Sequence, residues 1–211
     1  MAHRLILSAG ISRSGSTWLY NAARLLLESG GSTVAGAWIE DHNDADPADT
    51  HLVKLHDPNA ALAEKADLVL TSRRDLRDIA ASIRRMKWAE SEAELLAFLD
   101  AVVAQHAFWS PRAGHEMVYE AMIADGDAAL AKIARVLGLA TTAAERGAIL
   151  AEIDSLRHDP QAAAAYDKVS LLHHGHRGEG AAAGDRQALP SGLIARIEQR
   201  FGSWLSAAGY L

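Results

Sequence analysis

Residues 10–18 read Gly10-Ile11-Ser12-Arg13-Ser14-Gly15-Ser16-Thr17-Trp18, and the reading of this stretch decides the fold. The apolar run Leu5-Ile6-Leu7 before it has the character of a short buried strand. After it, Leu19, Ala22, Ala23, Leu26 and Leu27 recur at helical spacing through Glu28. A strand, a tight Gly/Ser turn and a helix aim backbone N–H groups and a helix N-terminus at an anion. The stretch is therefore read as a phosphate-binding loop.

Compared with the Walker A pattern Gly-x-x-x-x-Gly-Lys-[Ser/Thr], the turn has Ser16 where the lysine belongs. Its positive charge comes from Arg13, three residues earlier. Such a loop suits a phosphate that is not part of a nucleoside triphosphate. A P-loop kinase of a small metabolite stays as the alternative enzyme reading. It lacks both that lysine and a clear acidic Mg²⁺ ligand after a strand.

Composition sets the frame. A chain of 211 residues, 49% apolar and 23% charged, is expected to form one α/β domain over residues 1–211 with a substantial core. A net charge of −6 argues against a nucleic-acid or membrane-surface partner, so any anion site is a local concentration of basic groups. The absence of cysteine excludes disulfides, thiol catalysis and thiolate metal ligands. The N-terminal apolar run breaks at Ser8, too early for a secretory signal, and no stretch reaches the length of a membrane span. A cytoplasmic location is expected.

Further strands are predicted over Ser32–Trp38, His51–His56, Ala66–Ser72 and Glu116–Tyr119. Helices are predicted from Pro58 through Glu64 (Pro58 near the first helical position), and over Asp75–Met86, Ser91–Ser110, Asp125–Leu137, Thr141–Leu156 and Pro190–Ala208. Thr142 and Glu145 have the spacing of a capping box. Ile39–Asp49 is an acidic loop, and 157–189, with its histidines and glycines, reads as a long covering loop. This alternation implies a three-layer α/β sandwich around a mainly parallel sheet, with ligands at the C-terminal strand ends.

Basic and polar clusters fall at those ends: Arg13–Trp18, Lys54-Leu55-His56, Arg74 through Ser82, and Tyr119-Glu120. In this order they resemble the sulfotransferases that use 3′-phosphoadenosine 5′-phosphosulfate (PAPS). That family's 5′-phosphosulfate loop, Pro-Lys-Ser-Gly-Thr-Thr-Trp-Leu, reads here Ser12-Arg13-Ser14-Gly15-Ser16-Thr17-Trp18-Leu19. Its 3′-phosphate motif, an arginine followed four and eight residues later by aspartate and serine, is matched by Arg74, Asp78 and Ser82. Its Lys-Thr-His element appears as Lys54-Leu55-His56, and its Tyr-Glu-Asp element as Tyr119-Glu120-Ala121. The C-terminal stretch from Arg200 to Tyr210 resembles the family's closing helix. The late Arg-Lys-Gly-x-x-Gly-Asp-Trp element is present only as His176-Arg177-Gly178 and Gly184-Asp185-Arg186, without the tryptophan.

The resemblance implies a role for each matched position. Ser14, Gly15, Ser16 and Thr17 would grip the 5′-phosphate, with Arg13 beside the bridging oxygen and Lys54 on the sulfuryl oxygens. His56 would be the general base and Trp18 would lie against adenine. Arg74 and Ser82 would bind the 3′-phosphate, capped by Arg177 and Gly178. Tyr119 is open between adenine contact and core packing. The implied cofactor is PAPS, leaving 3′-phosphoadenosine 5′-phosphate (PAP), with no metal. The acceptor would be a small-molecule, carbohydrate or peptide hydroxyl or amine. A PAP-binding protein without catalysis is the non-enzymatic alternative, motivated by the altered 176–186 element. Arg77, Arg84 and Arg85 are read as a solvated helix face, and His173, His174 and His176 as acceptor contacts or plain loop composition.

Overall fold

The computed structural model describes residues 3–157, 166–173 and 189–211. Its centre is a five-stranded sheet in the order β2-β3-β1-β4-β5, built from β1 (Arg4–Ser8), β2 (Val34–Trp38), β3 (Thr50–Lys54), β4 (Leu68–Arg73) and β5 (His115–Val118). Every neighbouring pair is parallel. β1 lies in the middle, and its continuous apolar run suits a strand covered on both faces; Ile6 and Leu7 have no solvent exposure.

The even-numbered positions Ile6, Leu52 and Leu70 face α1 (Ser16–Ser29), α6 (Gly126–Leu137) and α7 (Ala143–Ser155). Leu5, Leu7, Val53 and Val69 pack on the opposite face with Trp109 and Leu62, which belong to α4 (Glu92–Trp109) and α2 (Ala60–Lys65). α3 (Leu76–Arg85), α4 and α8 (Ser191–Ala207) share a further core through Ile79, Leu99, Ile197 and Phe201. Burying each such side chain contributes about 1.5–3 kcal/mol. The result is the expected sandwich.

Two helix starts follow their local signals closely. Thr142 caps α7 in a reciprocal capping box with Glu145, and Ser91 does the same for α4 with Glu94, each worth on the order of 1 kcal/mol. At α2 the signal differs from the expectation. Asn59, not Pro58, organises the start, its side chain accepting from Leu62 N. Gly36, which weakens β2 on propensity, has a packing reason: a Cβ there would stand 2.3 Å from the Tyr20 hydroxyl of α1.

Two expectations are corrected. Tyr119 does not end β5 but begins a short helix, α5 (Tyr119–Ala124), whose separation from α6 is made by Asp125 capping Ala128 N. Arg77 is not on a solvated face. It is buried, pairs with Asp75 at 2.7 Å and Glu198 at 2.5 Å, and donates to the Tyr210 carbonyl. These contacts fasten α3 to α8 and the chain's last residues. No helix among the described residues is long and apolar enough to cross a membrane.

Candidate active site

The turn between β1 and α1 contains two left-handed residues, Arg13 at φ 65° and Gly15 at φ 81°. Alternation of left-handed with ordinary backbone lets successive N–H groups converge on one point. The first N–H groups of α1 add to it, because a helix start has no intrahelical acceptors for them. Gly15 is obligatory in two ways: its φ, and a Cβ that would lie 2.9 Å from Tyr119 Cδ2. At Gly10 a Cβ would meet the Ser72 hydroxyl at 2.2 Å.

The expected binding residues divide by what they touch. Ser14 is spent inside the turn: its hydroxyl reaches the Ile11 carbonyl and the Ser72 hydroxyl, both at 2.6 Å, and its N–H also points to Ile11. Gly15, Ser16, Thr17 and Trp18 line a cavity of about 530 Å³ together with Arg13, Arg74 and Tyr119. Arg74 is buried, with its guanidinium 4.2 Å above the Tyr119 ring. Its Nη1 donates to the Arg13 carbonyl at 3.4 Å, and its buried Nε has no hydrogen-bond partner among the described residues. A buried guanidinium N–H without an acceptor is costly, and an anion in the cavity would relieve it.

Arg13, expected beside the bridging oxygen, has its Nε donating to Ser82 Oγ at 3.0 Å and its guanidinium 4.9 Å from the Trp88 ring. Ser82 itself is fully buried. Arg85, read from sequence as solvated, is exposed but lines the same cavity. Arg177 and Gly178 lie outside the described residues, as do His174 and His176.

Lys54 ends β3 with 1% exposure, its Nζ donating to Thr17 Oγ1 at 2.5 Å. Burial, reinforced by the charge of Arg13, pulls its pKa down to about 7. His56 sits two residues on, its Nδ1 2.6 Å from the Gly10 carbonyl. A carbonyl only accepts, so Nδ1 carries the proton and Nε2 presents a lone pair. Desolvation, then the charge of Lys54, draws the imidazole pKa down to about 4. The Trp38 ring meets it edge-on at 5.1 Å, and Trp109 Nε1 donates to its carbonyl at 2.9 Å.

His56 opens into a second cavity, of about 410 Å³, also lined by Ser12, Trp38, Ile39, Asp57, Phe98 and Gln105. Gln105 holds the wall together: it accepts from Ser12 N and donates to Asp57. The β1–α1 turn thus borders both cavities. Sequence reasoning missed Trp38, Phe98 and Gln105, since a side chain inside a strand or helix carries no local mark of a pocket wall. The segment 166–173 docks on the same end of the sheet. Asn21 of α1 donates to the Ser170 carbonyl, Leu172 lines the larger cavity, and Tyr166 and Lys168 both bind Asp41.

No protein-family model matches the chain, and no curated protein sequence does. Solved structures do. The mouse sulfotransferase SULT7A1 complexed with PAP is similar with a TM-score of 0.70 at 14% identity, over 96% of this chain and 83% of that one. Retinol dehydratase with retinol and PAP gives a TM-score of 0.60 at 15% identity, over 97% and 82% of the two chains. Its complex with androsterone and the inactive cofactor PAP gives 0.66 at 15%, with the same coverage. At this identity the likeness carries architecture and not residue roles, and on that basis the chain has the sulfotransferase fold.

Proposed function

We propose that this protein is a PAPS-dependent sulfotransferase, moving a sulfuryl group to a hydroxyl or amine of a small acceptor. The observation that carries the reading is Arg74. It is a buried guanidinium whose Nε has no partner among the described residues, set beside the left-handed β1–α1 turn in a cavity walled by Trp18 and Tyr119. Two separated cationic grips with aromatic rings nearby suit a purine nucleotide bearing phosphates at both ends of its ribose.

The donor supplies an activated sulfuryl group; the chain's residues hold and polarise it. N–H groups of Gly15, Ser16 and Thr17 would grip the 5′-phosphate, and Arg74 the 3′-phosphate. Lys54, buried beside Thr17, would carry charge toward the transferring group, which is where fixed cations lower a barrier most. His56, with Nδ1 anchored on Gly10, would take the acceptor proton at Nε2. As it does so the acceptor oxygen or nitrogen bonds to sulfur, and the bond from sulfur to the bridging oxygen breaks. Its electron pair leaves with PAP.

The smaller cavity supports a small acceptor with an apolar body, through Trp38, Ile39, Leu55 and Phe98. Androsterone and retinol in the neighbouring retinol dehydratase complexes fit that class; a carbohydrate or peptide acceptor is the alternative. Against a kinase stands the first carboxylate after β4. Asp75 caps α3 and receives Arg77 N, Nε and Nη2, a poor starting point for an Mg²⁺ ligand.

The test is transfer of labelled sulfate from PAPS to a panel of phenols, sterols, sugars and amines. Labelled product, lost in His56→Ala with PAP binding retained, supports the proposal. PAP binding without transfer to any acceptor favours the non-catalytic reading, and Mg²⁺-dependent ATP turnover favours the kinase.

A further inference from the structure

At the opposite, N-terminal end of the strands lies a cluster that the nucleotide chemistry does not use. β1 and β3 are in register with Leu5 opposite His51 and Ser8 opposite Lys54. His51 therefore stands about 10 Å back along β3 from Lys54. Immediately before β1, the His3 ring stacks on that of His51 at 3.7 Å between centroids, with an interplanar angle of 3°. Asp44, from the acidic loop after β2, completes the group, and the ligand atoms of all three lie within 4.8 Å of one another.

We propose that His3, Asp44 and His51 bind a divalent transition-metal ion of the Zn²⁺ class. His51 carries the argument. The residue is 0% exposed, and its Nε2 lies 3.0 Å from the Asp46 carbonyl. That carbonyl accepts only, so Nε2 bears the proton and Nδ1 is left as a lone pair. Nδ1 is buried and has no hydrogen-bond partner among the described residues. A backbone carbonyl fixing one imidazole nitrogen and leaving the other as a lone pair is the arrangement that orients metal-bound histidines.

The same second-sphere logic recurs at Asp44, whose Oδ1 is 2.8 Å from His42 Nε2. His42 in turn meets the His51 ring edge-on at 5.2 Å. Two imidazoles and a carboxylate select a borderline ion over Ca²⁺ or Mg²⁺, which want oxygen donors. In a tetrahedral shell the ligand atoms stand about 3.3 Å apart. The cluster must contract by up to about 1.5 Å, and the His3 ring must swing out of its stack on His51 so that both lone pairs meet at one point. His3 and Asp44, outside the regular strands, can supply that shift by side-chain rotation, with water completing the shell. The ion would staple the start of β1, the loop after β2 and the buried face of β3.

The test is calorimetric titration of ZnCl₂ into chelator-treated protein without an affinity tag, with thermal unfolding alongside. The proposal expects a single tight site and a rise of several degrees in Tm with metal. Affinity should fall at least tenfold in Asp44→Asn and in His3→Ala, exposed or half-exposed positions that leave the core intact, and vanish in His51→Ala. Should His51→Ala fail to fold, the first two variants decide. The histidines at 173, 174 and 176 provide the counter-test. Binding that survives Asp44→Asn and His3→Ala unchanged but is lost when those three are replaced overturns the proposal, as does the absence of saturable binding. Sulfuryl transfer is not expected to change when the metal is removed, so failure here and failure of the sulfotransferase reading are separate results.

Discussion

Lys54 gives a quantitative handle on cofactor binding. Its ammonium is buried at 1% exposure beside Thr17, and desolvation with the nearby charge of Arg13 brings its pKa from 10.5 down to about 7. A lowered pKa means that the unliganded site disfavours the proton. A polyanion bound next to it restores the favour, so binding and protonation are linked. Near pH 8.5 a group of pKa about 7 is only about 3% protonated. If PAP returns Lys54 toward its ordinary value, binding takes up about one proton there and about a tenth of one near pH 6. Above pH 7 the affinity should then fall by close to tenfold per pH unit.

Calorimetry in two buffers of different ionisation enthalpy reads the proton count directly. Lys54→Met should abolish the uptake near pH 8.5, while His56→Ala, whose imidazole titrates near 4, should leave it. An enthalpy independent of buffer near pH 8.5 would refute the reasoning, because it would mean that Lys54 is already charged in the empty site or does not sense the phosphates.

Other expectations follow from individual contacts. Arg74→Ala should weaken PAP about 10–100-fold, the worth of one charge-assisted hydrogen bond, and leave adenosine 5′-phosphosulfate, which lacks the 3′-phosphate, nearly unchanged by the same titration. Gly15→Ala places a Cβ 2.9 Å from Tyr119 at φ 81°; a strain of about 1–2 kcal/mol should lower Tm by about 2–8 °C in a scanning melt. His56→Gln should reduce kcat by about 10²–10⁴ with the KM for PAPS little altered, measured by steady-state transfer.

The parts of the fold legible in sequence are those fixed by short-range physics. Leu5-Ile6-Leu7 followed by a Gly/Ser turn announces β1 and the phosphate loop because strand burial and left-handed backbone both leave local marks. The capping-box pair Thr142/Glu145 marks α7 for the same reason. Interactions between distant residues leave no such mark. Arg77 looked like one more exposed arginine because its partner Glu198 is 121 residues away. Nothing in Ser14 itself tells that its hydroxyl turns inward to Ile11 and Ser72. α5 was hidden because its six residues are too few for a period to show. At the site, Lys54 and His56 could be named from their place at the end of a strand, but the cavity beside His56 could not. Trp38 comes from an edge strand and Phe98 from a helix far along the chain.

The central claim is that the β1–α1 turn and Arg74 together hold a nucleotide with phosphates at its 5′ and 3′ positions. Competition binding of PAP against ATP, with Mg²⁺ present, tests it most directly. The account predicts saturable binding of PAP that ATP displaces only weakly and Mg²⁺ does not strengthen. Preferential, Mg²⁺-dependent binding of ATP, or no binding of PAP, would contradict it.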